Sequence, residues 1–224
     1  MAADVAHAAT GPRPLNQETL LFAVRALATR DADLAGVVER FGPPPLWSRP
    51  PGFATLAHIV LEQQVSLASA HAAFGRLRAA ADPLTPARFL ELDDRALLAI
   101  GFSRQKTRYA RNLAEQVRSA ELDMDSLAAL PDDEVQRALV ALTGIGPWSA
   151  SIYLMEALLR PDVWPITDMA LAAAVAEVKG LRRRPDAGEM QILGAAWRPW
   201  RSVAARLFWH DYLSRRGRSA PSAD

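Results

Sequence analysis

Three features of the 224-residue sequence predict an all-α fold. Apolar residues recur at helical spacing from residue 17 to residue 214, and no segment sustains the alternation of a half-buried strand. Proline, glycine and short polar caps interrupt the pattern at helix-length intervals. Half of the residues are apolar and 23% are charged, which excludes the disordered class. Apolar runs stay far below the roughly eighteen residues that cross a bilayer. With no cysteine, disulfides, thiolate zinc sites and iron–sulfur clusters are excluded. The opening MAADVAHAATGPRP lacks the basic and apolar regions of a signal peptide, so a cytoplasmic location is expected.

The elements follow in order. Leu20, Leu21, Val24, Leu27 and Ala28 share one helix face, and Asp31 or Asp33 can cap a second helix through Val37 and Val38. Between Gly42 and Gly52 lie Pro43, Pro44, Pro45, Pro50 and Pro51, a stiff connector. Helices are predicted over 53–64 and 66–78, with a short one opened by Thr85-Pro86 and another by Asp93-Asp94. Ser103 caps a longer helix over 104–118. Pro131 followed by Asp132, Asp133 and Glu134 marks a first turn, predicting a helix over 132–141. An apolar helix is predicted over 147–159, after which Pro161, Pro165, Pro185 and Pro199 divide the last third. Residues 1–14 and 214–224 read as tails, and no internal repeat is present.

Charge is uneven. From Lys179 onward ten Lys/Arg face four acids, a surplus of six. A second cluster joins Arg104, Lys106, Arg108, Arg111 and Arg118 against Glu115 alone. Such clusters suit an anionic partner, nucleic acid first, although a solvated helix face would look the same. Lys106 and Lys179 are the only lysines.

The most informative stretch is Leu142-Thr143-Gly144-Ile145-Gly146-Pro147-Trp148-Ser149-Ala150. Two glycines flanking an aliphatic residue permit a tight reversal with positive φ, and Ile145 can pin that turn into the core. The loop amides and the next helix N-terminus make a compact donor set for a phosphate. Pro147 suits the first helical position.

LTGIGPWSASIYLM followed by DVWPITDMAL resembles the helix-hairpin-helix (HhH-GPD) DNA glycosylase superfamily, and within it the 3-methyladenine DNA glycosylase II type. HIVLEQQVSLASA (58–70), LLAIGFSRQKTRYARNLAEQV (97–117) and WRPWRSVAARLFWH (197–210) extend the likeness in the family's order over roughly residues 50–213. The resemblance implies two helical lobes with an active-site cleft between them and no N-terminal β domain. A central lobe of about 54–165 would carry the hairpin 142–146, and residues 15–53 with 166–213 would form the other.

On that resemblance Asp168, twenty residues after Trp148, is the catalytic carboxylate; an ordinary helix-capping acid is the competing reading. Bifunctional relatives carry a Schiff-base lysine where this chain has Trp148, so a monofunctional enzyme is implied. Trp148 and Trp209 match the pocket tryptophans, with Ile152 and Tyr153 one turn beyond Trp148, where some relatives have an aromatic. His58 either faces the cleft or is a buried histidine. Gln63 and Gln64 match the wedge that fills the gap left by an extruded base, Gln64 being favoured. Gly144, Ile145, Gly146 and Ser149, with Ser103, Arg104 and Lys106 opposite, match backbone-binding positions. The carbonyls of Val140, Leu142 and Gly144 match positions that in relatives can hold Na+ or K+; no other cofactor is implied.

The expected activity is hydrolysis of N3-alkyladenine and N7-alkylguanine nucleotides in duplex DNA, by a monomer acting at the bacterial nucleoid. The alternatives are a non-catalytic DNA-binding module and a glycosylase for oxidised or deaminated bases.

Overall fold

Eight of the twelve α-helices in the described residues begin at a side-chain cap readable in the sequence. The structure is a computed structural model and describes residues 13–217. Asn16 opens α1 (Gln17–Arg30), reciprocated by Thr19, and Asp31 opens α2 (Ala32–Phe41). Then come α3 (Phe53–Glu62), α4 (Leu67–Ala80) capped by Ser66, α5 (Pro86–Glu91) by Thr85, α6 (Asp94–Ile100) by Asp93 and α7 (Arg104–Arg118) by Ser103. Next are α8 (Asp132–Val140) and α9 (Pro147–Glu156), α10 (Met169–Val178) capped by Asp168, α11 (Ala187–Gly194) by Asp186 and α12 (Arg201–Ser214). Each such cap satisfies a backbone amide that a helix start leaves without a partner.

Helix packing falls into two sets. In one, α3 contacts α4, α7 and α9, α7 contacts α5 and α6, and α8 lies on α9. In the other, α12 contacts α1, α2 and α10. The sets are tied by buried Arg206, which donates to the carbonyls of Leu46 (2.8 Å), Ser202 (3.1 Å) and Met155 (2.6 Å). Trp164, Trp197 and Phe208 form an aromatic cluster with ring centroids 5.0–6.3 Å apart. Their indole N–H groups donate to Met190 O and Asp31 Oδ2, so these two tryptophans serve the core.

Three boundaries differ from the sequence pattern. The apolar run 147–159 leaves helical geometry at Glu156, because Leu159 takes φ 53° and its carbonyl accepts from Leu15 N. Burial of Leu158 against the core, not helix continuation, explains the apolar residues there. A 3₁₀ turn at Ser126–Ala129 had no sequence signal; Arg160 stabilises it from afar, donating to the Ala128 and Leu130 carbonyls. Ser214, expected in a tail, still belongs to α12, while the tail residues 1–12 and 218–224 lie outside the described residues. Among the described residues no strand occurs, and no helix is long and apolar enough to cross a membrane.

Candidate active site and nucleic-acid interface

The reversal between α8 and α9 rests on one glycine. Gly144 has φ 90°, and a Cβ there would overlap the Tyr109 ring of α7. Ile145 is buried and its N–H returns to Leu142 O (3.1 Å). Contrary to the two-glycine expectation, Gly146 is ordinary extended backbone (φ −93°), and a Cβ there would meet nothing within 4 Å. The fold does not require glycine at 146; an approaching ligand backbone would. Gly146 is also the N-cap of α9 and offers no side chain, so the first-turn amides of that helix have no side-chain partner. A helix end of this kind, with a hairpin before it, favours an anion.

A groove of about 540 Å³ runs along this hairpin, lined among others by Gln63, Gln64, Ser103, Lys106 and Gly144. It brings together the hairpin, the α6–α7 loop and the two glutamines that the sequence marked separately. Helix α3 stops at Glu62, two residues before the expected end, since Gln63 turns to ψ 121° and Gln64 to φ 58°. Gln63 donates from Nε2 to Gly144 O (2.9 Å) and Ser149 Oγ (3.0 Å), so its side chain is held within the protein. Gln64 is exposed. Lys106 donates to Leu61 O (2.7 Å), and burial lowers its pKa. The Ser103 hydroxyl accepts from Lys106 N as the α7 cap, and Arg104 is exposed. Leu142 O and Gly144 O each already accept a hydrogen bond but keep a second lone pair, so the carbonyl set with Val140 remains compatible with a weakly held monovalent ion.

Asp168 does two things at once. One carboxylate oxygen accepts from Leu171 N (2.6 Å) as the α10 cap; the other accepts from the Trp148 indole N–H (2.7 Å). The capping reading is realised on one oxygen, and the other is held by the indole of the candidate pocket residue Trp148. The side chain stands at a helix N-terminus, where a carboxylate is favoured, and the residue is 9% exposed. Asp162, another acid between α9 and α10, is committed to Arg201 through a double ion pair and also accepts from Arg201 N at the start of α12 (3.2 Å).

The remaining pocket candidates scatter. Tyr153 is fully buried, and its hydroxyl accepts from Gly52 N (3.0 Å), bracing the start of α3. Ile152 is buried beside it. Trp209 is half-buried on α12, and among the described residues no ring contact joins it to Trp148. His58 stacks on Phe74 with centroids 4.0 Å apart and takes a hydrogen bond on Nδ1 from Arg49 (3.3 Å). Burial first, then the charges of Arg49 and His71, push its pKa down to about 3, the state of a neutral core histidine. Arg49, which the sequence reading passed over, also pairs with Glu62 (2.7 Å) and Glu156 (2.6 Å). Burial lifts Glu156 to about 7 against the opposing pull of Arg49.

About half of the C-terminal basic surplus is offset by acids from elsewhere in the fold. Lys179 holds Asp31 and Asp33, Arg183 holds Glu189, Arg201 holds Asp162, Arg215 holds Asp211 and Arg216 holds Glu177. In the second cluster Arg111 is likewise tied to Asp94. A count of charges along the chain could not reveal that these cations already have acidic partners.

With this geometry in place, the family model described as HhH-GPD superfamily base excision DNA repair protein matches residues 57–201. The chain is a member of the HhH-GPD superfamily. A Bacillus subtilis protein named DNA-3-methyladenine glycosylase is 28% identical over 122 residues, covering 54% of this chain and 40% of that protein. A Mycobacterium tuberculosis protein named "Probable bifunctional transcriptional activator/DNA repair enzyme AlkA" is 32% identical over 212 residues, covering 83% and 41%. The chain thus spans less than half the length of either relative. The solved 3-methyladenine DNA glycosylase of Schizosaccharomyces pombe, in complex with abasic DNA, superposes with a TM-score of 0.80 at 23% identity over 87% of this chain and 97% of that one, which establishes the shared fold.

The HhH-GPD match contains Gln63, Gln64, the groove, the hairpin and Asp168, while Arg49 and Trp209 fall outside it.

Two outcomes follow. Gly144→Ala forces a positive φ and a ring overlap, and should cost about 2 kcal/mol or more in a urea unfolding curve. Gly146→Ala, with open space around it, should stay within about 0.5 kcal/mol of the parent. Equal losses would refute the division of labour between the two glycines.

His58 supplies a pH test. Its folded pKa, about 3, lies below the ordinary 6.5, so the unfolded chain binds a proton that the folded chain refuses. Its contribution is present above pH 6.5 and is lost as pH falls towards 3. A His58→Gln variant should therefore lose on the order of 2–3 kcal/mol less stability than the parent between pH 7 and pH 4. Comparison with the parent removes the opposite slope from Glu156, whose raised pKa makes the folded chain hold a proton between 4.5 and 7. Parallel stability curves for the two proteins would contradict a neutral His58.

Proposed function

We propose that this HhH-GPD chain is a monofunctional DNA glycosylase that hydrolyses the N-glycosidic bond of flipped, alkylated purines in duplex DNA, 3-methyladenine and 7-methylguanine foremost. The observation that carries this reading is the Trp148–Asp168 pair, one turn of chain from an anion-favouring hairpin. The relatives' names support the same chemistry.

Breaking the bond puts positive charge on the deoxyribose. The Asp168 carboxylate, with a lone pair left on each oxygen, stabilises that charge and orients the attacking water. At about 4 Å and an effective dielectric of about 20 the attraction is on the order of 4 kcal/mol, about a thousandfold in rate. A ring-alkylated purine is cationic and leaves without an added acid. Over an indole face such a cation gains roughly 0.5–2 kcal/mol, and Trp148 is the indole fixed beside the carboxylate. The base leaves, water adds at the sugar C1′, and the water's proton goes to solvent, giving an abasic site.

Lyase chemistry would need a free amine at the sugar. Lys179 is clamped by Asp31 and Asp33, and Lys106 is engaged with Leu61 O. Neither occupies the hairpin position held by Trp148, which supports glycosylase action alone. The hairpin amides, with exposed Arg104 and Arg108, would grip the phosphates.

Asp168→Asn should bind alkylated duplex about as tightly as the parent while releasing free base about a thousandfold more slowly, measured chromatographically on methylated DNA. Release at the parental rate would remove Asp168 from the mechanism. Gly146→Ala should weaken duplex affinity several-fold at unchanged stability, because its Cβ stands where a phosphate approaches. Unchanged affinity by fluorescence anisotropy would move the phosphate contact elsewhere.

A further inference from the structure

Three consecutive residues at the end of α3 are each tied to a different part of the protein. The Leu61 carbonyl accepts from Lys106 Nζ on α7 (2.7 Å). The Glu62 carboxylate accepts two hydrogen bonds from Arg49, at 2.7 and 3.2 Å, and Arg49 in turn grips Glu156 of α9 through Nε and through its own backbone N–H (2.8 Å). The Gln63 amide donates to Gly144 O and Ser149 Oγ across the hairpin. The next residue, Gln64, is exposed on the groove and held at φ 58°, a conformation that residues other than glycine seldom adopt.

This arrangement is costly to build. Arg49, Glu62 and Glu156 are all largely buried, and charge burial of this kind is weak as a source of stability. Its evident product is direction. With the three preceding residues pinned to α7, to the 42–52 connector and to the hairpin, the strained residue that follows points one way only. Lys106 is the less obvious member: its ammonium sits on the α3 terminus, although its place in the basic cluster suggests a phosphate contact.

We propose that Arg49 and Lys106 are positioning residues for base extrusion, acting through Glu62 and the Leu61 carbonyl to hold Gln64 ready to enter the duplex. This rests on the reading of the chain as a base-flipping glycosylase with Gln64 as its wedge. Extrusion consumes unpairing and unstacking energy, so a wedge ordered in advance speeds it, whereas a disordered one must first lose backbone freedom worth about tenfold in rate.

The test compares single-turnover release of 7-methylguanine from two duplexes, one with the lesion opposite cytosine and one with it opposite an abasic-site analogue, where extrusion is easy. For Lys106→Met and for Arg49→Lys, which keeps the charge but not the two-pronged geometry, the ratio of paired to unpaired rates should fall about tenfold relative to the parent. Affinity for undamaged duplex should keep its salt slope. An equal loss on both duplexes would overturn the proposal, because a general structural or chemical defect moves both rates together. A Lys106→Met protein that binds undamaged duplex less tightly, with a salt slope reduced by about one, would also overturn it in favour of a phosphate contact. Gln64→Ala tests the underlying reading separately: if it leaves the ratio at the parental value, Gln64 is not the wedge whatever the anchors do. Failure of the parent to release base from either duplex would reject the activity itself.

Discussion

The hydrogen bond from the Trp148 indole to Asp168 ties the start of α9, next to the hairpin, to the start of α10. Trp148 is the second residue of α9, immediately after the hairpin, and Asp168 caps α10, which packs in the other helix set. One 2.7 Å contact therefore fixes the distance between the hairpin and a carboxylate, which on the proposed reading are the phosphate cradle and the group beneath the sugar. A flipped nucleotide has a backbone and a sugar separated by a constant length, so a site that handles both needs that spacing to be rigid. The buried Arg206 and the Leu15–Leu159 backbone bond close the two sets around it from behind.

The hairpin shows the same economy at smaller scale. Gly144 is glycine because Tyr109 and a positive φ demand it, whereas Gly146 is glycine with neither demand. The first is a requirement of folding, whereas nothing within the fold demands the second. Two identical residues two positions apart thus carry different physical reasons.

Most of the helices were legible because local chemistry announces them: Asp31, Ser66, Thr85, Asp93, Ser103 and Asp168 all cap the helices that the pattern assigned to them. The hairpin was legible because glycine spacing is a local signal, whereas Asp168 was singled out as a site residue by the family resemblance, its local signal being that of a helix cap. What escaped was long-range. Arg49 looked like one cation in a proline-rich connector, and only the fold brings Glu62 and Glu156 to it. The 3₁₀ turn at Ser126–Ala129 depends on Arg160, thirty residues on. Tyr153, adjacent to a family pocket position, turns inward to Gly52 because α9 packs on α3, whose first residue Gly52 precedes.

Charge is where sequence and structure diverge most, and the divergence bears on how such a protein meets DNA. Lys179, Arg183, Arg201, Arg215 and Arg216 are paired with acids, which shortens the range of their fields, while Arg206 spends its charge on buried backbone carbonyls. Counterion release scales with the phosphates that free cations neutralise, and beside the groove the exposed Arg104 and Arg108 are the cations placed to contribute it. On the proposed reading, oriented backbone amides at the hairpin and the α9 start add a grip that acts over hydrogen-bond distances and depends on geometry. A protein that searches long DNA for one damaged base gains from weak long-range attraction and strong short-range fit. On the proposed reading, weak attraction would let it leave intact duplex, and fit around Asp168 would develop only once a nucleotide has turned outward.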